Sequence, residues 1–350
     1  MSEEMKLRIG MPAGSLANAS RGGNLITLLE SAGFKTSGYE SGGPSSFKEM
    51  NHLYGWDGRP QEFGSQLGVN ELDVAIAGDD WIKERLLELE IEYDTPVKLE
   101  KILSLKRGGV RIVGIANPGD ENLTTKDLLR SLCKEKKVIT VVSEMPYLAL
   151  NWIQENLKEI GVFEQFSNYS VQKYKSPAKI DKGIVIYETW GKTEAKVKNE
   201  GADFGLEITQ SGSAIRNYGL QIIDTIMNSE TGIWINPNIR ENEEKCELLK
   251  MFLLNLYGSI NAENKVLVVF NVLNQKSAEI EEYLKENSLF ADEPTMNLGK
   301  EYSEYSIQID TAGAKTPLAK VRFELAKLGA CSIDTIPINS SIPNIDVLDL

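Results

Sequence analysis

Between Glu207 and Ala214 the chain sets one carboxylate, three hydroxyls, an amide and a glycine within eight residues, Glu207-Ile208-Thr209-Gln210-Ser211-Gly212-Ser213-Ala214. A glycine between two hydroxyl residues lets several backbone N–H groups turn toward one point. A helix starting there adds its positive end, and together these suit a phosphate. The same residues also make a plain turn after a strand, and the motif alone does not choose. A second candidate group is Gly78-Asp79-Asp80. It follows an apolar run and precedes a helical one, so the two carboxylates either cap the helix or face a ligand at the strand's carboxyl end. The sole histidine, His52, has nothing beside it that marks a base and reads as solvent-exposed.

Strands and turns must position these residues. Phe204 to Ile208 is the strand entering the loop, and Ala214 begins a helix or an extended return. Leu7 to Met11 predicts a strand, Asn24 to Ala32 an amphipathic helix closed by Gly33, and Leu72 to Ala77 a buried strand followed by a helix from Trp81 to Leu89. Strands are expected at Lys101 to Leu105 and Val110 to Ala116, and Gly42 to Gln66 reads as a long polar loop or flap. Val138 to Val142, a turn at Ser143 to Pro146 and a helix at Tyr147 to Lys158 form a second α/β unit. Gly183 to Tyr187, Ile222 to Ile226 and Thr231 to Ile235 complete the strands of this part, and a helix spans Glu241 to Leu256. Strand, Gly turn and helix recurring in two lobes place a ligand cleft between strand ends. After a linker at Gly258 to Asn264, the tail alternates strand and helix: Lys265 to Val272, Ser277 to Glu286, Tyr305 to Asp310, Pro317 to Leu328 and Ile333 to Ile338. That order and size suit a ferredoxin-like domain.

At 350 residues the chain is long enough for two or three domains with real cores. A net charge of −13 argues against non-specific nucleic-acid binding, which needs clustered Lys and Arg. Three widely spaced cysteines suit reduced thiols, and neither a disulfide framework nor a zinc site is expected. No secretory signal is expected, because the start Met-Ser-Glu-Glu-Met-Lys lacks a basic region followed by an apolar run, and no membrane partner is expected, because no run approaches the roughly 18 apolar residues that span a bilayer.

Several stretches then recur in a telling order: Leu7-Arg8-Ile9-Gly10-Met11-Pro12-Ala13-Gly14-Ser15-Leu16, Arg59-Pro60-Gln61-Glu62, Leu72 to Asp80, Gly191-Lys192-Thr193-Glu194, and Asp203 to Leu220 with Ser229-Glu230. Pro294-Thr295, Leu328-Gly329-Ala330 and Pro337-Ile338 follow. Together they resemble ATP phosphoribosyltransferase in its long form, with a C-terminal regulatory domain. The first stretch is similar to the family's opening strand and Pro-Lys-Gly-Arg-Leu turn. The stretch from Asp203 to Leu220 is similar to its phosphoribosyl-pyrophosphate loop, without a gap.

The resemblance implies an α/β fold with a two-lobed, periplasmic-binding-protein-like catalytic core and a C-terminal ferredoxin-like (ACT-like) α+β domain. Lobe I takes 1–108 plus 218–258, lobe II with the loop takes 109–217, and the regulatory domain takes 262–345. It implies a cytoplasmic pentosyltransferase that joins N1 of ATP to C1 of phosphoribosyl pyrophosphate and releases pyrophosphate, the first step of histidine biosynthesis. Mg2+ is the implied cofactor, histidine the implied inhibitor, and a homo-oligomer between dimer and hexamer the implied assembly. By position, Gln210, Ser211, Gly212, Ser213 and Ala214 hold phosphoribosyl pyrophosphate, Glu207 and Glu194 serve the chemistry, and Gly14, Ser15, Leu16, Arg59, Gly78 and Asp79 line the ATP side. Glu194 also reads as a plain helix-start carboxylate, and Arg216 as a surface ion pair or a phosphate ligand.

The chain also departs from the family. Ala13 and Ser15 stand where the family has Lys and Arg, while Glu207, Ala214 and Tyr218 replace an Asp, a Thr and an Asn of the loop. Two other readings accompany the enzyme: a re-specialised small-ligand-binding paralogue, and a phosphoribosyltransferase with another acceptor.

Overall fold

The computed structural model describes residues 5–13, 17, 24–119, 123–289 and 295–348, and its contacts gather the chain into two compact units. The first contains residues up to Ile26 and Thr36–Leu249, and the second contains Thr27–Lys35 and Lys250–Leu350.

In chain order the first unit begins with β1 (Leu7–Pro12), with α1 (Leu25–Ser31) crossing its boundary. There follow β2 (Thr36–Ser37), β3 (Ser46–Phe47), β4 (Leu53–Gly58), α2 (Pro60–Gly68), β5 (Val74–Gly78) and α3 (Asp79–Tyr93). Next come β6 (Glu100–Ala116), α4 (Thr125–Glu135), β7 (Val138–Ser143), α5 (Pro146–Glu159), β8 (Tyr169–Lys173) and β9 (Gly183–Glu188). The unit continues with α6 (Thr193–Lys198), β10 (Phe204–Thr209), α7 (Ser213–Asn217) and β11 (Gln221–Ile235). Among the described residues, nine strands form one sheet in the order β4-β1-β5-β11-β6-β10-β7-β9-β8. β4, β1 and β5 run parallel to one another, and so do β10, β7, β9 and β8. The long antiparallel pair β6 and β11 joins the two groups.

Register turns this arrangement into a site. The last residue of β5, Gly78, pairs with Thr231, and the last of β10, Thr209, pairs with Arg111, itself opposite Asn228. The carboxyl ends of both parallel groups therefore meet over the middle of β6 and β11, from opposite sides. Ligands bind at such strand ends in open α/β sheets.

Parallel strands covered by helices on both faces carry continuous apolar runs. Accordingly Val74, Ala75, Ile76 and Ala77 of β5 are fully buried, and burying each larger side chain stabilises by roughly 1.5–3 kcal/mol. α3 and α5 pack against each other, and Trp152 of α5 lies edge-on to Phe204 of β10 at 5.7 Å. β6 carries Gly114 where Trp152 crosses it, because a Cβ there would stand 2.4 Å from the indole.

The second unit holds most of α8 (Glu243–Ala262), then β12 (Lys265–Leu273), α9 (Ser277–Glu286), β13 (Thr295–Leu298), β14 (Tyr302–Asp310), α10 (Leu318–Lys327) and β15 (Cys331–Pro337). The order βαββαβ and the antiparallel sheet β13-β14-β12-β15 make this a ferredoxin-like domain. Val268, Phe270, Tyr305 and Ile307 of the sheet pack on Ile280, Leu284, Val321 and Leu325 of the two helices.

Several sequence expectations change. Gly42 to Gln66 is not a long loop: it holds β3, β4 and most of α2. Its polarity is that of an edge strand, with Leu53 and Gly55 inside and Tyr54 outside, and Asp57 draws in the N–H of Ser45 at 2.6 Å. The pairs of strands expected around Lys106-Arg107-Gly108-Gly109 and around Met227 to Glu230 are instead single strands, β6 and β11. Left-handed backbone at Lys106 and Gly108 and shifted pairing carry the ladder through the polar interruption. The linker at Gly258 is helix to Ala262. Gly258 sits inside α8 because Ser340 and Ile342 leave no room for a Cβ, at 2.5 and 2.6 Å. β8, β13 and α4 were not legible as elements. His52 is exposed, as expected.

Candidate active site

The loop after β10 is held from within. Gly212 adopts a left-handed φ of 73°, and its N–H reaches the Thr209 hydroxyl at 2.9 Å. The hydroxyls of Ser211 and Ser213 bond each other, and the Ser213 N–H approaches Ser211 Oγ at 3.3 Å. Arg216 folds back from α7 and donates one bond to the Ser211 carbonyl at 2.9 Å. Ile215, buried, pins the short helix onto the sheet, with Tyr218 packed beside it. The outcome is a closed turn whose hydroxyls and backbone donors sit at the strand end, where Gln210 opens onto a cavity of about 500 Å3. Asp79, Arg111, Ser229 and Glu230 line the other sides of that cavity.

Three carboxylates gather beside this loop, from three elements. Glu207 comes from β10, Glu194 from α6 and Glu144 from the turn after β7. Burial pushes the Glu207 acid up to about 7, and the Glu194 charge adds to this against the opposing bonds from Thr193 and the Ile208 N–H. Burial likewise raises Glu144, which accepts the Gly191 N–H and feels Lys196. Lys196 stays close by bonding the Gly191 carbonyl at 2.6 Å. The structure thus brings Glu207 and Glu194 together. It adds Glu144, whose place in a strand-end turn was legible but whose proximity was not.

A larger cleft of about 720 Å3 opens next to Glu144, between α2 and α3 on one side and α5 and the end of β9 on the other. Arg59, Trp81, Arg85, Tyr147 and Trp190 line it, and Trp190, 88% exposed, stands with Lys173 5.9 Å from its ring centroid. Beneath it lies Glu84, which sequence reading missed. Its carboxyl accepts the N–H groups of Tyr147 and Leu148 at 3.0 and 2.7 Å, capping α5 from a neighbouring helix. Burial still pushes Glu84 up to about 8.

The residues expected on the ATP side separate. Arg59 lies in the larger cleft and Asp79 in the smaller cavity, while Gly14, Ser15 and Leu16 lie outside the described residues. Gly78 ends β5 directly before Asp79. Asp79 is committed: Lys101 pairs with it at 2.8 Å, and it accepts the Glu230 N–H at 3.2 Å. Lys101 also pairs with Glu230 at 3.1 Å, which Ser104 holds at 2.6 Å. Asp80 turns back onto the Trp81 N–H, a capping role. Among the described residues, no group of three or more His, Cys, Asp or Glu is placed to hold a metal ion.

Comparison with known proteins brings these observations together. The sequence model of the ATP phosphoribosyltransferase family matches residues 59–256, more than half the chain and the whole of the loop and its carboxylates. An ATP phosphoribosyltransferase of Solidesulfovibrio magneticus is 26% identical over 282 residues, 80% of this chain and 81% of that one. Another, from Geotalea daltonii, is 25% identical over 345 residues, covering 96% and 99% of the two chains. A solved ATP phosphoribosyl transferase (HisG:HisZ) complex from Thermotoga maritima aligns with a TM-score of 0.49 at 16% identity, covering 71% of this chain and 98% of that one, a loose likeness on which nothing below rests. With more than half its length matched, including the turn at the end of β10, the chain belongs to the ATP phosphoribosyltransferase family.

Proposed function

We propose that the chain joins N1 of the adenine of ATP to C1 of phosphoribosyl pyrophosphate over the meeting strand ends of β5 and β10. The C1–O bond to pyrophosphate breaks, the C1–N1 bond forms on the opposite face, and the anomeric carbon inverts. The transition state has oxocarbenium character, so protein nucleophiles are not required. Alignment of two large anions supplies much of the acceleration. The observation that carries this reading is the family match, which spans the turn Gln210 to Ala214; the Gly212 and Ser213 N–H groups rest there on the Thr209 and Ser211 hydroxyls, bonds that a 5′-phosphate would replace.

In this reading Glu207 accepts from the ribose hydroxyls and Glu194 and Glu144 flank it. Arg59 in the larger cleft meets the ATP phosphates, with Trp81, Tyr147 and Trp190 offering aromatic faces to the base. Mg2+ would come with the phosphorylated substrates, held mostly by their oxygens and water, and would supply charge neutralisation of the pyrophosphate. The division of the first unit into two lobes hinged on β6 and β11 belongs to the same reading. So do a cytoplasmic location and a homo-oligomer inhibited by histidine through the ferredoxin-like unit; support for these is the sequence resemblance alone. Among the described residues no helix is long and apolar enough to cross a membrane.

The test is pyrophosphate release measured with each substrate alone and with both. Release that needs both substrates supports the reading. Release from phosphoribosyl pyrophosphate with another acceptor, and none with ATP, overturns it.

A further inference from the structure

We infer that Arg111 is a phosphate-binding residue of this site, an inference that rests on the phosphoribosyltransferase reading and adds to the loop a guanidinium that approaches it from β6. Arg111 sits opposite Thr209 of β10 and Asn228 of β11 and is half-buried. Its Nη2 lies 3.8 Å from the point where a Cβ on Gly212 would stand, so the charge is aimed at the turn. It also lines the cavity of about 500 Å3 that Gln210, Ser229 and Asp79 share.

Among the described residues, no hydrogen bond or ion pair engages the side chain of Arg111. Of the other charges around it, Asp79 and Glu230 are both held by Lys101, and Arg216, whose Nη1 lies 3.1 Å from the same point, uses one of its donors on the Ser211 carbonyl. Of the charged residues lining the cavity, Arg111 alone has no side-chain partner among the described residues, and it is a planar cation beside the turn. A guanidinium presents five donors in a fork that matches two oxygens of one phosphate. An anion fits this setting, and a cationic or neutral ligand leaves the fork unused.

Either end of phosphoribosyl pyrophosphate could supply the phosphate, so the experiment uses ribose 5-phosphate and, separately, inorganic pyrophosphate with Mg2+. Each is titrated calorimetrically into the full chain, as wild type, Arg111→Gln and Arg111→Lys, with circular dichroism confirming the fold. We expect Arg111→Gln to weaken one of the two ligands about tenfold or more, the scale of a charged hydrogen bond, and Arg111→Lys to recover part of that loss. Loss on ribose 5-phosphate assigns the 5′-phosphate, and loss on pyrophosphate assigns the leaving group. Equal affinities of wild type and Arg111→Gln for both ligands overturn the assignment, as does wild type binding neither. Should Arg111→Gln fail to fold, Arg111→Lys decides alone: affinities matching wild type for both ligands remove the fork. The reaction is scored apart from this. Turnover in Arg111→Gln with unchanged KM values removes Arg111 and leaves the enzyme, whereas a wild type that binds and never turns over removes the enzyme reading.

Discussion

Glu207 is the loop residue whose charge changes within the working range. Its acid is raised from an ordinary value of 4.5 to about 7, first by burial and then by Glu194. The role proposed for it, accepting from ribose hydroxyls, calls for the ionised form, so kcat/KM for phosphoribosyl pyrophosphate should climb between about pH 6 and 8 and then level off. Glu207→Gln should flatten that profile and lower kcat/KM about 10–100-fold, the value of hydrogen bonds to a charged group. Stability runs the other way. The folded state holds this proton more tightly than the unfolded one, so the contribution is complete below about 4.5 and fades as pH rises through about 7. Thermal unfolding at about pH 8 should therefore show Glu207→Gln at least as stable as wild type; a lower midpoint there would contradict the assigned burial cost. The carboxylate of Glu207 was legible because it stands at a fixed place before Ser211-Gly212-Ser213. Glu144 and Glu84 were not, because their importance comes from burial and from helices distant in the chain that a linear reading does not bring together.

Elements hold these residues through a few cross-chain ties. Asp73, at the entry to β5, accepts the Arg8 N–H at 2.8 Å and its side chain at 3.2 Å, and pairs with Lys245 of α8 at 2.7 Å. Burial alone would raise its acid, but the bonds from Arg8 and Lys245 outweigh it and hold the carboxyl below the usual range. That contribution is present above the ordinary value of 3.8 and is lost as pH falls through the lower folded value. Asp73→Asn should cost about 3 kcal/mol in chemical denaturation near neutrality, since it leaves two cations facing an amide, and the difference should shrink in acid. Gly114→Ala tests the crossing of β6 and α5. A methyl 2.4 Å from Trp152 should destabilise by about 1–3 kcal/mol, and an unchanged denaturation midpoint would mean the crossing is looser than described. Most strands and helices were legible from apolar runs and 3.6-residue spacing. The misreadings cluster where pairing overrides composition: the polar edge strand β4, the bulged middles of β6 and β11, and Gly258 inside α8.

At the scale of the molecule, register does what no single motif does: it brings the ends of β5 and β10 together over β6 and β11. The loop and the smaller cavity lie at that meeting point. The ferredoxin-like unit was legible from its alternation of strand and helix, although β13 was not, because its four exposed residues, Thr-Met-Asn-Leu, are too few to establish a period. If that unit senses histidine, added histidine should lower turnover without competing at the smaller cavity, and differential affinity for two states of the assembly is the physical requirement. The most direct measurement is pyrophosphate release from phosphoribosyl pyrophosphate with ATP and Mg2+ by the folded full chain. The account predicts release that needs both substrates and falls in Glu207→Gln. Silence from folded wild-type protein at high concentration, or release indifferent to ATP, would contradict it.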